Sequence, residues 1–508
     1  MEKAGRVSVY PEKCRNMNKF GKIKDRYRFW NTKLVILSVL AAFIIAALAG
    51  CGAKMPKGYT IQKEKLLFVS DRENDLTKIV LDTKCLDHSI EGTVYTSMQA
   101  LDKTAAAALT TGKALFYVTE SGAEQIAGNV SLYNMAASGD SVAYIDAESS
   151  LYLYNTKDGE TEKLAETAEG YLAISPDGKT VLYDVFQDDG YYELYLYHNG
   201  ETTLLGENLF GLAVADKASY IYVYDAEQTL YVIQDGAKTT LGERTETTMQ
   251  NPFVFNRDLS QILYNASESV YISQNGGEGK KVADNIQYAL PVTPNATGMM
   301  YRYEKNSTVI FQMETFGGAV LMDSNQKLHT LSSDTLEETG IAFQVEDATV
   351  SADGSRLLYM KLGGIHTSDM KTPEETKIVQ GISEAAAFVV TKNGKTLYYC
   401  ESDGTLMRRA TDSEDEPEKI AEDVIKLYVT PNKDTVLFVT GSQSTVEGEL
   451  YAVKDGGTAK KLLDNVATVE VYYQSVYCYV NNGTSYDLYA GAGDDRFDML
   501  IENAIVIN

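Results

Sequence analysis

The chain has 508 residues, with 71 Asp and Glu against 46 Lys and Arg, and a formal net charge of −25. A polyanion of this strength excludes nucleic acid as a partner, since the phosphate backbone requires the opposite sign. Five cysteines and four scattered histidines make neither a disulfide framework nor a zinc-ligand spacing.

Residues 1–33 carry ten Lys or Arg against three Asp or Glu, and residues 34–50 are an apolar run without charge. A basic segment followed by an apolar one is the arrangement of an export signal, with its basic side kept cytoplasmic. The run is 17 residues long. That is the short limit for a membrane span, so an uncleaved signal anchor is the weaker alternative. It ends on Leu48-Ala49-Gly50-Cys51, which resembles the lipobox of bacterial lipoproteins. The resemblance implies that the Cys51 thiol takes a diacylglyceryl group and becomes the new N-terminus. Two acyl chains hold a protein on a bilayer stably, where one does so marginally. A start at Met17 gives a basic region of more ordinary length, which would leave residues 1–16, with Cys14, untranslated.

Three regions are therefore expected: a signal peptide (1–50), a lipidated cysteine with a short tether (51–59), and a folded body (60–508). Residues 1–50 contribute +7 to the net −25, so the exported body is near −32. The eight tether residues reach at most ~30 Å. The body is thus expected close to the extracytoplasmic face of the cell membrane, held through the lipid.

From there the chain repeats. One unit reads "AISPDGKTVLYDV" and then "YYELYLYHNGETTLLGE". It contains an apolar strand, a turn at Ser175-Pro176-Asp177-Gly178, a strand through Tyr183, a third at Leu194–Tyr197, a turn at Asn199-Gly200 and a fourth strand ending on Glu207. Asn-Gly and Asp-Gly accept the positive φ of two-residue hairpins, and alternating Val, Leu and Tyr suit half-buried strands. The third strand recurs as "LYLYNTKDG", "LYVIQDG", "VYISQNG" and "LYAVKDG", the fourth as "KLAE", "TLGE", "KVAD", "KIAE" and "KLLD". Second-strand landmarks fall at Phe68, about Ala107, Tyr144, Tyr183, Tyr222, Tyr264, Tyr301, Tyr359, Tyr399, Phe438 and Tyr479. The spacing is 37 to 42 residues, with one gap of 58 after Tyr301, assigned to an insertion around "STVIFQMETFGG".

Four short strands per period of about 40 residues make an all-β fold, a β-propeller. "SPDGKTVLY" resembles the WD40-like repeat of TolB-type propellers, also present in the propellers of dipeptidyl-peptidase-like proteins. The resemblance covers roughly residues 130–480 and implies architecture. It implies neither their added hydrolase domain, since no G-x-S-x-G elbow is present, nor a TolB-like transport role, for which an added N-terminal domain has no room. Eleven landmarks exceed the four to eight blades of one ring, so two packed rings are expected. The last residues, Ala504 to Asn508, are expected to pair near "KLLFVSD" and close a ring.

Alternating strands put the second-to-third loops and the fourth-to-first connectors on one face. That face collects acids. Fourth strands end on Glu166, Glu207, Glu243, Asp284, Glu422 and Asp464, and second-to-third loops carry Asp146, Asp184, Asp188, Asp189, Asp225 and Asp403, among others. The opposite turns mix signs. Acids at strand ends are also common solubilisers and edge guards. The sharper expectation is that the acidic face binds a basic protein segment or divalent cations such as Ca²⁺. The run "TDSEDEPEK" (Thr411 to Lys419) lacks the order of a calcium loop and reads as a hairpin tip. Cys400 and Cys478 lie in strand segments as small buried hydrophobes. The 35 tyrosines are expected to pack between blades, hydroxyls at the rim.

No catalytic constellation, cofactor motif or metal site emerges. The leading expectation is a non-enzymatic, lipid-anchored propeller that recognises a protein or ligand. The alternative is a hydrolase or lyase of envelope polysaccharide using paired carboxylates; a third is a structural spacer.

Overall fold

A computed structural model describes residues 66–505 apart from short internal stretches. The apolar run at 34–50, Cys51, the tether, and Asp188 and Asp189 lie outside the described residues. No helix among the described residues is long and apolar enough to cross a membrane.

The described residues fold into successive four-stranded antiparallel blades, and their sheet order shows eleven of them. Blade 1 spans residues 66–91, blade 2 94–127, blade 3 130–165, blade 4 172–207, blade 5 209–243 and blade 6 253–284. Blade 7 spans 286–342, blade 8 345–380, blade 9 388–421, blade 10 424–466 and blade 11 466–501. Strand Lys460–Val471 is long enough to serve as the outer strand of blade 10 and then the inner strand of blade 11. Blade 1 takes its inner strand from the other end of the chain, where Ala504 and Ile505 pair with Asp71 and Ser70. The expected pairing of the C-terminal segment with the first blade is therefore present.

Second strands carry the core. Ala105–Thr110, Thr396–Cys400 and Ser141–Asp146 are buried along nearly their whole length. They are covered on both sides rather than half-buried, which is why they read as continuous apolar runs. Alternate side chains go to opposite neighbours. Ala143 and Ile145 join a cluster with blade 4, whereas Val142 and Tyr144 join one with blade 2. The same division recurs in blade 10, with Phe438 toward blade 9 and Leu437 toward blade 11. Val69 and Val80 of blade 1 pack on Tyr477 and Leu488 of blade 11. Apart from this junction of blade 11 with blade 1, the clusters described here join blades that are consecutive in the chain.

The repeated Leu-Tyr of the third strands has a physical basis. The leucine is fully buried at Leu151, Leu194, Leu230, Leu450 and Leu488. In each of these strands the pairing with the fourth shifts register between the leucine and its tyrosine. That β-bulge lets the outer strand splay away from its neighbour. The tyrosine then stacks on the second strand: Tyr144 on Tyr152 at 5.2 Å, Tyr183 on Tyr195 at 5.6 Å, Tyr264 on Tyr271 at 5.7 Å and Phe438 on Tyr451 at 5.3 Å. In blade 11 the position opposite Tyr489 is Cys478, and in blade 5 that opposite Tyr231 is Val223. Tyr479 and Tyr222, the expected landmarks, sit one place along and face the following blade. The Tyr222 hydroxyl donates to the Leu259 carbonyl at 2.8 Å and the Tyr264 hydroxyl to that of Leu241 at 2.9 Å, so both end inside the fold and not at its rim.

Tyr301 is not a second-strand residue. It lies in Met300–Lys305, which pairs with Thr308–Met313 as an inserted hairpin. Thr308–Met313 returns to the inner edge of blade 6 and runs parallel to Phe253–Asn256. The second strand of blade 7 is Gly318–Asp323, with Leu321 opposite His329. The long interval therefore follows Tyr264 and arises from an insertion inside blade 7.

First-to-second turns explain the repeat motif. The Ser175 hydroxyl donates to Asp177 at 2.7 Å and accepts the Thr180 N–H at 3.0 Å. Ser351, Asp353 and Arg356 repeat this, as do Thr391, Asn393 and Thr396. The turns clasp one another: Asp102 N–H donates to Ala137, Ser138 to Pro176 and Asp353 to Lys392, each into the next blade. The motif is thus part of the frame. Cys85, Cys400 and Cys478 are free thiols, the last two buried.

Candidate functional site

The pairing of consecutive antiparallel strands puts second-to-third loops and fourth-to-first connectors on one face. Glu207, Glu243 and Asp284 end their fourth strands there, Glu166 and Glu422 follow theirs directly, and Asp464 lies where Lys460–Val471 passes from blade 10 to blade 11. Glu166, Asp284, Glu422 and Asp464 are ion-paired. Lys163 meets Glu166 at 2.5 Å, Lys461 meets Asp464 at 2.6 Å, and Lys281–Asp284 and Lys419–Glu422 form the same pair. Each lysine stands three residues before its acid, a spacing readable in "KLAE", "KVAD", "KIAE" and "KLLD". The pairs are solvent-exposed and contribute little to stability. They do lower the net charge of the face below what its acids alone suggest.

Several loop acids shape their own turns. Asp146 accepts the N–H groups of Glu148 and Ser150, and Asp225 those of Glu227 and Thr229. These are Asx turns, in which a short carboxylate substitutes for a backbone acceptor.

One place on the face combines acids with a cavity. A cleft of about 810 Å³ opens between blades 9 and 10. The loop at Asp403, the connector at Glu422 and Asp423, and Ser442, Glu449 and Tyr451 of blade 10 line it, with Phe438 beneath. Asp403 accepts the Thr405 N–H at 2.9 Å, and that bond holds its carboxyl below the usual range. Glu449 takes Lys461 at 2.5 Å on one oxygen and the Tyr451 hydroxyl at 2.7 Å on the other. Lys461 first, and then Tyr451, lower its carboxyl as well. Asp423 holds a left-handed backbone at φ 56°, which turns the connector sharply into blade 10. Ile420, Val424 and Ala459 complete apolar walls. The sequence marked Asp403 and Glu422 as members of an acidic face; it held no sign that Glu449, from a third strand, would join them.

Catalysis by paired carboxylates requires one that keeps its proton near neutrality. The carboxyls of Asp140, Asp225, Asp284, Asp403 and Glu449 are all held below their ordinary values. This is the behaviour of paired or hydrogen-bonded anions. Nor do any three His, Cys, Asp or Glu side chains among the described residues converge as a metal ion would need. The histidines are dispersed: His88 against the Thr119 carbonyl, His198 on Thr180, His366 stacked on Tyr359, and His329 buried in blade 7.

No family model matches the chain, and no curated protein is similar to it in sequence. Solved structures with a similar course include a eukaryotic initiation factor, at 11% identity, covering 81% of this chain and 96% of that one, TM-score 0.40. Dipeptidyl peptidase 4 of Porphyromonas gingivalis is similar at 12% identity over 73% of this chain and 59% of that one, TM-score 0.33. TolB of Acinetobacter baumannii is similar at 13% identity over 48% of this chain and 62% of that one, TM-score 0.27. The chain thus spans about three fifths of the length of the last two. The β-propeller rests on its own blades.

Proposed function

We propose that this protein is a lipid-anchored, extracytoplasmic propeller whose acidic face recognises a basic protein segment. The observation that carries the reading is the cleft between blades 9 and 10, where Asp403, Glu422, Asp423 and Glu449 surround apolar walls. A lysine or arginine side chain has the matching form, with an aliphatic stem for the walls and a charged head for the acids. The dispersion of the acids among paired and turn-forming positions favours such an organic cation over Ca²⁺. Recognition from a rigid ring suits loops that converge on one surface. The lipobox at Leu48 to Cys51 supports attachment through Cys51.

The test is binding of a fluorescent oligolysine peptide to the detergent-solubilised chain. The combined variant Asp403→Asn, Asp423→Asn, Glu449→Gln is expected to weaken binding about tenfold at low salt, with a shallower salt dependence. Equal affinity of variant and parent would overturn the cleft as the site. For the anchor, Cys51→Ala is expected to abolish acylation of the mature N-terminus in mass spectrometry; an unmodified Cys51 in the parent protein would remove it.

A further inference from the structure

Four aromatic rings run side by side where blades 4 and 5 meet, on the same face as the acidic loops. Phe186 closes the second strand of blade 4 and Tyr192 opens its third, with ring centroids 5.0 Å apart. Tyr192 lies 5.8 Å from Phe210, near the start of the first strand of blade 5. Phe210 in turn stacks on Tyr224 at 5.3 Å. All four are only partly buried. They differ in this from Tyr222 and Tyr264, which are enclosed between blades.

The repeat does not require an aromatic at the position of Phe186. Counting three residues beyond the stacking position of the second strand leads from Tyr183 to Phe186. The same step leads from Tyr144 to Ala147, from Tyr399 to Ser402 and from Phe438 to Gly441. Blades 3, 9 and 10 therefore form without an aromatic at this position. Two carboxylates from the same two blades are held in fixed orientation. Glu193 accepts the Tyr195 hydroxyl at 2.7 Å and the Gln187 amide, and Asp225 accepts the Tyr231 hydroxyl at 2.7 Å. In the same blade 5, the Lys238 ammonium stands 3.6 Å from the centroid of Tyr231, beside Asp225.

We infer that the run Phe186, Tyr192, Phe210 and Tyr224 is a platform on which arginine side chains of a basic protein segment stack. A planar guanidinium is attracted to ring faces and offers its N–H groups to carboxylates, a combination an ammonium serves less well. Partly exposed aromatics on a rigid frame are the type of residue that concentrates binding energy at protein interfaces. The inference rests on the acidic-face reading for its partner class, but it names a different part of the face and a preference for arginine.

The test uses the detergent-solubilised full chain with fluorescent hexa-arginine and hexa-lysine. The double variant Tyr192→Leu, Phe210→Leu keeps apolar bulk, and its melting curve reports whether the blades remain folded. It is expected to weaken hexa-arginine about 3- to 30-fold and hexa-lysine less, with the salt dependence retained. Unchanged hexa-arginine affinity in a folded double variant overturns the platform. If the double variant loses arginine binding while Asp403→Asn, Asp423→Asn, Glu449→Gln does not, the platform stands and the cleft falls. The reverse result keeps the cleft and removes the platform. Ring-dependent binding of cellotetraose, with no binding of hexa-arginine by the parent protein, overturns the inference in favour of a saccharide.

Discussion

Replacing Leu488 by alanine tests whether the last blade truly closes on the first. Leu488 is fully buried in the cluster that joins Tyr477, Tyr479 and Ile501 of blade 11 to Val69 and Val80 of blade 1. The substitution removes three carbons, worth about 0.8 kcal/mol each in transfer from water, or about 2.4 kcal/mol. The unfilled cavity raises the loss to about 3–4 kcal/mol. With a urea dependence of about 3 kcal/mol per molar, the midpoint falls by about 1 M. Leu194→Ala makes the matching change between blades 4 and 5, far from the closure in the chain, and is expected to cost about the same. If every blade has two neighbours, both variants shift one cooperative transition seen by circular dichroism. A lowered midpoint for Leu194→Ala beside an unchanged one for Leu488→Ala, or a separate early phase in the latter, would refute the argument that blade 11 latches blade 1.

Two further outcomes follow from the same geometry. Gly178 has φ +77°, and a Cβ there would stand 2.8 Å from the Ser141 hydroxyl oxygen and 2.9 Å from its Cβ. Gly178→Ala is therefore expected to cost about 1–3 kcal/mol in urea unfolding; an unchanged midpoint would show that the turn tolerates a side chain. Stability should also fall in alkali. Burial pushes the Cys400 thiol up to about 11 and the Tyr428 hydroxyl to about 12, while hydrogen bonding to Glu193, then burial, takes Tyr195 to about 12. Each group holds its proton more tightly folded than unfolded. The contribution is thus complete below about pH 9, near the unfolded values, and is lost as the pH rises toward 11–12. Urea midpoints measured from pH 8 to 11.5 should decline above pH 9, and a flat profile would contradict the burial of these groups.

Much of this architecture was legible in the residues themselves. Four strands per forty residues, the Ser-Pro-Asp-Gly turn and the C-terminal strand that completes blade 1 all follow from local chemistry: period-two patterning, side-chain acceptors inside tight turns, and a strand left without a neighbour in its own blade. The lysines that neutralise Glu166, Asp284, Glu422 and Asp464 can be read from the sequence as well, because each stands three residues before its acid. What no one-dimensional reading separated was Tyr301 from the true second strands, or Tyr222 and Tyr479 from the stacking position. A strand residue's neighbours depend on which way its side chain points, and a shift of one residue reverses that without changing the composition. The cleft beside Glu449 and the ring run across blades 4 and 5 belong to the tertiary structure alone. Their parts come from different strands and different repeats, and only the packing of blade against blade brings them within a few ångströms.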